Sequence, residues 1–183
     1  MKKLLREVWS WSSSIAVAVI ISLLISTFVV QPTKVLGHSM DPTLQDNKRI
    51  FVSKLTHTFA FEADYSDIVI IDSRVDRKRT FKDDLLENGL LSLISGKEDD
   101  HIYFVKRVIG KPGDTIVIKN HSVYRNGELL EEPYVKEQMN TAGEKTYVVP
   151  EDHIFVMGDN RNHSTDSREI GFVPFDHVLG KKM

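Results

Sequence analysis

Two residues in distant parts of the chain have side chains that could take part in catalysis, one as a nucleophile and the other as a base. Ser39 stands in the turn-rich stretch Gly37–Leu44, so its hydroxyl can project from a loop as a nucleophile. Lys106 lies in Ile102–Ile109, where period-two alternation places it on a strand face with apolar neighbours. Burial disfavours an ammonium group and lowers its pKa, which is how a lysine becomes a base near neutral pH. Each residue also has an alternative without chemistry: Ser39 could merely cap or form a turn, and Lys106 could be an edge-strand lysine that reaches into water.

A second polar stretch, Gly158–Arg168, is dense in side chains that hydrogen-bond the backbone. Its composition fits a self-satisfied surface loop as well as it fits a support for catalysis. A Ser-His-Asp triad of Ser39, His163 and Asp166 is also conceivable, because triads are recognised by spatial roles rather than by chain order. The residues alone therefore leave two candidates for a catalytic base, namely a buried Lys106 and the His163 of such a triad.

Composition excludes several other kinds of chemistry. The chain has no cysteine, which removes thiolate nucleophiles, cysteine-ligated zinc and disulfides together. Its 7 histidines form no H-x-x-x-H pair, so we expect no metal and no cofactor. The formal net charge of -2 gives no basic field, so we do not expect a nucleic-acid partner.

An apolar stretch precedes the Ser39 loop. From Val8 to Val30 the chain carries no charged residue, and as a helix it would span roughly 35 Å, enough to cross a bilayer. We predict a transmembrane anchor here, with a cleaved signal peptide or a buried core helix as alternatives. Lys2, Lys3 and Arg6 precede the stretch and Lys34 is the first base after it, which predicts a cytoplasmic N-terminus.

The rest of the chain has the length of one domain, which we predict to be mainly β, with antiparallel strands. The predicted organisation is a cytoplasmic tail at 1–7, the anchor at 8–30 and an extracytoplasmic domain at 31–183. Apolar, β-branched runs predict strands at 31–36, 49–54, 65–71, 102–109, 115–119, 123–130, 145–149 and 153–157. Their succession predicts a β-meander.

Turn residues predict how three pairs of these strands connect. Pro112-Gly113 suits a type II turn, and Asn126-Gly127 is typical of a type I′ hairpin. A further hairpin is expected around Pro150–Asp152, joining the strands on either side of it.

Residues 72–100 form a predicted insertion within the domain. Charged residues stand at both ends, and apolar residues between Phe81 and Ile94 recur at roughly helical spacing. The pattern predicts an inserted amphipathic helix. A solvated loop with a short helix packed on the domain, a membrane-touching helix and disorder are all compatible with it.

Three stretches in this order, behind an apolar anchor, resemble the short single-anchor form of the bacterial type I signal peptidases. Those enzymes are membrane-bound serine proteases that remove signal peptides from secretory preproteins. The matching stretches are Ser39–Leu44, Tyr103–Gly110 with Pro112–Asp114, and Gly158–Arg161 with Ser164, Asp166–Arg168 and Gly171–Pro174.

The resemblance implies a fold, an activity and a location. It implies a β-rich catalytic domain on the outer side of the bacterial cell membrane, held there by a single-pass anchor. It further implies a hydrolase that needs no cofactor, with secretory preproteins and membrane lipid as its partners. Family substrates present small residues three and one positions before the cut.

The resemblance also assigns roles to residues. It implies that Ser39 attacks the scissile carbonyl and that neutral Lys106 takes its proton and later returns it to the leaving amine. Ser164 matches a serine that orients the lysine amine. The remaining supporting residues implied are Asp166 and Arg168, as an ion pair, with Asp159 and Arg107. The residues matching the shallow apolar substrate pockets are Val35, Met40, Leu44, Phe104 and Val105.

The sequence departs from part of this pattern. The resemblance implies that the backbone N–H of Ser39 meets the oxyanion, but some members carry a serine where Gly37 stands here. Their additional side-chain donor is absent. The insertion at 72–100 also exceeds the short connection usual in compact members.

Two other functional classes remain compatible with parts of the sequence. A membrane-tethered β-domain that binds an extracytoplasmic ligand would use Gly158–Arg168 only structurally, and it predicts that Ser39→Ala changes nothing. The self-cleaving repressors also use a serine and a lysine, but no helix-turn-helix domain fits ahead of Ser39, and the anchor argues against them.

Overall fold

Strands dominate the part of the chain that the structure describes. The computed structural model describes residues 9, 11–22, 29–54, 64–78, 103–141 and 143–183. A helix, α1, covers 11–22, and a short helix, α2, covers Ser167–Ile170. The strands in chain order are β1 Val30–Lys34, β2 Arg49–Ser53, β3 Ile68–Asp72, β4 Tyr103–Gly110, β5 Thr115–Lys119, β6 Ser122–Arg125, β7 Glu128–Leu129, β8 Lys145–Val148, β9 His153–Met157, β10 Val173–Pro174 and β11 Val178–Lys182.

These strands form two antiparallel sheets, which confirms the mainly β fold class. The large sheet has the order β1-β2-β11-β3-β4-β9-β10, and the small sheet has the order β7-β6-β5-β8. Strand β4 lies inside the large sheet, with Val69 of β3 opposite Lys106 and Met157 of β9 opposite Arg107. Because both neighbours hydrogen-bond to it, β4 holds its side chains in fixed register.

Alternation along β4 follows the sequence pattern. Phe104 and Val108 pack in one apolar cluster, while Tyr103 and Val105 pack in another. Successive side chains of a strand point to opposite faces, so this division confirms the predicted period of two. Lys106 shares the first face and is only 2% exposed, so the alternative of a lysine that reaches into water is wrong.

Two of the predicted turns are confirmed. Gly113 has φ +84, and Asp114 N donates to Lys111 O at 3.0 Å, as expected of a type II turn. Asn126 and Gly127 have φ 52 and 87, the positive pair that a type I′ hairpin requires.

The predicted hairpin around Pro150–Asp152 is wrong. Strand β8 pairs with β5 in the small sheet, whereas β9 pairs with β4 and β10 in the large sheet. Val149 is buried between the sheets, and its N–H and C=O bond to Asp114 and Gly113. The connection between β8 and β9 therefore crosses from the small sheet to the large sheet. Its residue Val149 is held at this crossing by the turn before β5.

The predicted meander is also wrong in its strand order. The C-terminal strand β11 inserts between β2 and β3 instead of lying at an edge. Gly180 permits this insertion, because a Cβ at that position would overlap the carbonyl of Ser53. A strand that is last in the chain thereby closes the centre of the large sheet.

The structure describes only part of the predicted anchor, namely residues 9, 11–22, 29 and 30. Residues 11–22 are helical, and among the residues that the structure describes no helix is both long and apolar enough to cross a membrane. The predicted end of the anchor needs correction, because Val30 is the first residue of β1 and pairs with Ser53. The backbone of Val30 bonds across strands rather than along a helix.

The predicted insertion lies mostly outside the described residues. Its first residue, Asp72, ends β3 and is fully buried, and Arg74 donates to both of its carboxylate oxygens. The amphipathic helix expected between Phe81 and Ile94 falls outside the described residues and stays a prediction.

Candidate active site

The loop that carries Ser39 connects β1 to β2 and is anchored at both ends. Val35 donates its N–H to Lys48 O at 2.8 Å and accepts at its carbonyl from Asn47 N at 2.9 Å, which closes the base of the loop. Met40 and Leu44 are each 1% exposed and pack in an apolar cluster against side chains of β3 and β4. Ser39 lies between the loop base at Val35 and the buried side chain of Met40. Because both of these points are held, the position of Ser39 is fixed as well.

Lys106 and Ser39 meet directly. Lys106 Nζ donates to Ser39 Oγ at 2.8 Å and lies 5.0 Å from the centroid of the Phe104 ring. A neutral amine would accept the hydroxyl proton across the same distance. The contact places a candidate base within hydrogen-bond reach of a candidate nucleophile.

Burial tunes Lys106 toward its neutral form. Desolvation lowers the pKa of Lys106 from 10.5 to about 8, Asp166 acts to raise it, and Arg168 acts to lower it. At pH 7 a pKa of about 8 leaves roughly a tenth of the amines neutral, compared with less than a thousandth for an unperturbed lysine. The site therefore makes a lysine base available near neutral pH.

Asp166 ties the polar loop to the end of β9. Its carboxylate is fully buried, receives Arg168 Nε at 2.7 Å and Arg168 Nη2 at 2.8 Å, and also accepts Gly158 N at 2.9 Å. It caps α2 as well, because the backbone N–H of Arg168 points at the same side chain. The predicted pairing of Asp166 with Arg168 is present in the structure.

Gly158 allows this loop to approach Ser39. A Cβ at Gly158 would overlap Ser164 Oγ and would lie 2.5 Å from Ser39 O. No side chain fits in that space, so glycine is required by close approach. The position of Gly158, directly after the buried strand β9, is the only sign of this role in the sequence.

Ser164 lies beside the pair without bonding to it. The side chain is 8% exposed, and among the described residues its hydroxyl oxygen has no hydrogen-bond partner. An unpaired buried hydroxyl costs about 1 to 3 kcal/mol. The expected bond from Ser164 to the lysine amine is not among the contacts of the described residues, so this role stays a prediction.

Arg107 and Asp159 form a second buried ion pair behind Lys106. Arg107 Nε donates to Asp159 Oδ1 at 2.8 Å and Nη2 donates to Oδ2 at 2.6 Å, a two-pronged geometry. The guanidinium carbon lies 3.9 Å above the ring of Tyr134, and Nη1 donates to Ser66 O. The pair joins β4 to the polar loop at the residue next to Lys106.

A supporting pair that the sequence analysis missed lies further along the same loop. Arg161 is 3% exposed, donates to Glu132 through both terminal nitrogens, and donates through Nε to Gly158 O at 3.1 Å. The hydroxyl of Tyr134 also donates to Glu132 at 2.9 Å. The neighbouring acidic residues 131 and 132 resemble a solvated face in the sequence, so no local signal distinguishes Glu132.

The five residues expected to line substrate pockets divide into two groups. Val35, Met40 and Leu44 are at most 3% exposed, so they lie beneath the surface of the site. Phe104 and Val105 are partly exposed on β4 next to Lys106, where a bound chain can contact them. Contact of any of the five with substrate stays a prediction.

The alternative triad is not assembled. The oxygens of Asp166 bond to Arg168 and Gly158, and Ser39 Oγ bonds to Lys106. His163 is exposed, and among the described residues no hydrogen bond joins its ring to Asp166. Of the two candidate bases, the fold brings Lys106 to Ser39.

Comparison with known proteins gives the chain its family. A family model described as signal peptidase, peptidase S26, matches residues 8–183. A signal peptidase I of Bacillus licheniformis is 37% identical over 185 residues, covering 96% of this chain and 86% of that protein. Signal peptidase IB of Staphylococcus aureus (strain COL) is 31% identical over 193 residues, covering 96% and 87%. The solved structure of a signal peptidase I from Enterococcus faecalis V583 is 29% identical, covers 66% of this chain and 96% of that chain, and has a TM-score of 0.45.

The class of protein follows from these matches. The chain belongs to the signal peptidase family, peptidase S26. It is accordingly a serine peptidase of the signal peptidase I type, and therefore a hydrolase. The resemblance found in the sequence is confirmed.

Proposed function

We propose that the protein is a membrane-bound endopeptidase that removes N-terminal signal peptides after a small-x-small motif, with Ser39 as nucleophile and Lys106 as general base. The contact between these two side chains, 2.8 Å long and formed by a lysine that is 2% exposed, carries the proposal. Family membership supports removal of signal peptides as the activity.

The proposed reaction begins with proton transfer. Neutral Lys106 takes the hydroxyl proton as Ser39 Oγ forms a bond to the scissile carbonyl carbon, and the carbonyl oxygen becomes an oxyanion. The backbone N–H of Ser39 donates to that oxyanion. Lys106 then gives its proton to the leaving amine, the C–N bond breaks, and an ester on Ser39 remains.

Water completes the cycle by the same route. Lys106 takes a proton from water, the resulting hydroxide adds to the ester carbonyl, and Ser39 leaves as its hydroxyl form. Asp166 with Arg168 and Asp159 with Arg107 hold the surrounding loop, and the Ser164 hydroxyl orients the amine. No step requires a metal or a cofactor.

The proposed location follows from the sequence of the first 30 residues. We infer that the uncharged stretch from Val8 anchors the chain in the bacterial cell membrane, with a cytoplasmic N-terminus. Ser39 follows this stretch closely, and an extended chain advances at most about 3.5 Å per residue. The site is thereby tethered close to the outer membrane face, where a signal peptide ends. Secretory preproteins and lipid are then its partners.

Cleavage of a preprotein reporter tests the proposal. Wild type, Ser39→Ala and Lys106→Ala are purified in detergent and compared with a reporter that carries a signal peptide, and the cut site is identified by mass spectrometry. Both variants should lose cleavage by at least about 1,000-fold. Retained activity in either variant would contradict the dyad. A binding domain without catalysis predicts no cleavage by any of the three proteins.

A further inference from the structure

Asn160 contacts the carbonyl groups on both sides of the nucleophile. Its side-chain Nδ2 donates to His38 O at 3.0 Å, and its backbone N–H donates to Ser39 O at 3.0 Å. Neither bond involves the Ser39 hydroxyl or Lys106. Asn160 therefore fixes the peptide groups that precede and follow Ser39 without entering the pair itself.

The first of these bonds bears on the N–H of Ser39. A trans peptide group is planar, with its C=O and N–H pointing in opposite directions. The carbonyl of His38 and the N–H of Ser39 belong to one such group, so a donor that holds the carbonyl also sets the direction of the N–H. His38 O accepts from Asp41 N within its own loop at 3.2 Å, and Asn160 Nδ2 adds a shorter bond from a different loop, at 3.0 Å. Among the residues that the structure describes, this N–H has no acceptor. The direction of the Ser39 N–H is thus set through the carbonyl of its own peptide group, and the N–H itself remains available to a substrate oxygen.

Gly37 makes that orientation more important. The residue carries no side-chain donor, and its own N–H bonds to Asp46 Oδ1 at 2.8 Å. The backbone N–H of Ser39 is then left as the principal donor that the loop offers to an oxyanion. A hydrogen bond accepted by the carbonyl also polarises the peptide and strengthens donation by its N–H.

We propose that Asn160 is a positioning residue for the oxyanion, acting through the His38–Ser39 peptide group. Its carboxamide holds His38 O so that the N–H of Ser39 meets the oxygen of the tetrahedral intermediate. The inference rests on the proposed function, because it presupposes attack by Ser39. It extends that function by assigning transition-state stabilisation to a residue outside the Ser39–Lys106 pair.

Asn162 provides a matched control from the same loop. Its side chain accepts from Asn140 N at 2.7 Å and donates to Gln138 O and Glu137 Oε1 at 3.1 Å. These bonds fasten the loop to another segment of the chain and do not reach Ser39. Asn162→Ala therefore removes three side-chain hydrogen bonds of the loop, compared with one in Asn160→Ala, and leaves the bond from Asn160 to His38 O in place.

The experiment compares kcat and KM of wild type, Asn160→Ala, Asn160→Asp and Asn162→Ala, each checked for folding by thermal unfolding. Asn160→Ala should lower kcat about 10- to 100-fold with KM nearly unchanged, since an interaction made only in the transition state is lost. Asn160→Asp retains the shape but replaces the donor by a carboxylate, so its kcat should fall at least as far. Asn162→Ala should keep kcat within about threefold of wild type.

A transition-state probe provides a second measurement. A peptide boronic acid forms a boron–oxygen bond to Ser39 while the hydroxyl proton passes to Lys106, and its tetrahedral adduct presents an oxygen to the Ser39 N–H. Its inhibition constant should rise in Asn160→Ala by about the factor by which kcat falls. The inhibition constant of the matching cleaved peptide should not change.

Three results would overturn the inference. These are a kcat for Asn160→Ala within threefold of wild type, an equal loss in Asn162→Ala, or boronate affinity that does not follow kcat. If Ser39→Ala and Lys106→Ala are inactive while Asn160→Ala is fully active, only this inference fails. If either of the first two variants is active, the proposed function fails independently of Asn160.

Discussion

Lys106 Nζ lies 2.8 Å from Ser39 Oγ, although 67 positions separate the two residues in the chain. Lys106 is fixed because β4 lies between β3 and β9, and Ser39 is fixed because Met40 and Leu44 are buried next to it. The contact therefore depends on two independent anchors that meet at one point. Its chemistry depends on burial, which lowers the pKa of the amine.

Substitutions of the two members of the Asp166–Arg168 ion pair should shift the pH dependence of cleavage in opposite directions. The proposed mechanism requires neutral Lys106, so it predicts that kcat/KM rises with pH through a midpoint near 8. Asp166 raises the pKa of Lys106 and Arg168 lowers it. Asp166→Asn should therefore shift the acid limb to lower pH, and Arg168→Met should shift it to higher pH. The measurement is kcat/KM between pH 5 and 10 for both variants and wild type.

The two variants of this ion pair serve as controls for each other. Both substitutions break the same ion pair, and both should reduce the maximal rate. If loss of structure were their only effect, the midpoints of kcat/KM against pH would shift in the same direction or not at all. Midpoints that shift in the same direction would contradict the assignment of the acid limb to Lys106.

Lys106 should reduce the stability of the fold near neutral pH. Its pKa is lower in the folded protein than the ordinary 10.5, so the unfolded chain binds more protons between about pH 8 and 10.5, and stability rises with pH in that window. The difference corresponds to about 3 kcal/mol of unfavourable burial below pH 8. Lys106→Met should therefore raise the unfolding free energy at pH 7, with a gain that fades as the pH approaches 10.5.

Urea unfolding at several pH values measures this effect. Lys48→Met is the matched control, because Lys48 is exposed and its replacement should change stability little at any pH. A gain for Lys106→Met that is equally large at pH 7 and pH 10.5 would show that added apolar contact, rather than the charge of Lys106, is responsible.

Gly158→Ala should abolish most activity in a protein that still folds. The new methyl group would push on both Ser164 Oγ and the carbonyl of Ser39, so Ser39 should be displaced from Lys106. A displacement of about 1 Å at the reacting atoms can cost 100-fold in rate. Adding Ser164→Gly should not restore kcat, because the contact with the Ser39 backbone remains and the hydroxyl proposed to orient the amine is lost. The measurement is kcat for the single and double variants.

Gly110 supplies the control for this substitution. The three atoms nearest to a Cβ there belong to the side chains of Ile116 and Val149, at 3.0 to 3.1 Å. Gly110→Ala should lower the unfolding temperature while leaving kcat nearly unchanged. If both alanine variants lose kcat to the same extent, close packing at Gly158 has no special connection with the nucleophile.

A side chain at Gly37 should strain the loop. Gly37 has φ +86, where residues other than glycine cost roughly 1 to 2 kcal/mol. Gly37→Ala and Gly37→Ser should therefore destabilise the protein by similar amounts, and space is not the cause, since a Cβ there meets nothing within 4 Å. Gly37→Ser should have no higher kcat than Gly37→Ala. A clear excess in kcat for serine would mean that its hydroxyl reaches the oxyanion despite the strain.

Glu132 should matter far more for stability than its neighbour Glu131. Glu132→Gln leaves the charge of buried Arg161 without a partner, and breaking a buried pair costs about 3 to 5 kcal/mol. Glu131→Gln, at an exposed position, should cost little. Chemical denaturation of both variants measures the difference. Replacing both members of the pair by Glu132→Leu and Arg161→Met should recover much of the loss, and failure to recover would rule out the unpaired charge as its cause.

Local sequence predicted strands β1 to β9, although not β10 and β11, and the two residues expected to carry the chemistry. Alternation of apolar residues predicted β4 and the face of Lys106, because side chains alternate in any strand whatever its neighbours. The turns at Gly113 and Asn126 were predicted for a similar reason, because glycine and asparagine accept a positive φ whatever surrounds them. The three stretches around Ser39, around Lys106 and from Gly158 to Pro174, in this order behind an apolar segment, then identified the family.

Only the tertiary structure decided which strands pair and what supports the site. Strand β11 enters between β2 and β3, and β8 and β9 join different sheets, because these choices depend on long-range packing that no short window contains. Asn160, Gly158 and Glu132 likewise have ordinary sequence contexts. Their roles come from contacts across the fold: Asn160 contacts His38 O, Gly158 approaches Ser39 O, and Glu132 binds Arg161. Such contacts exist only once distant segments have been brought together.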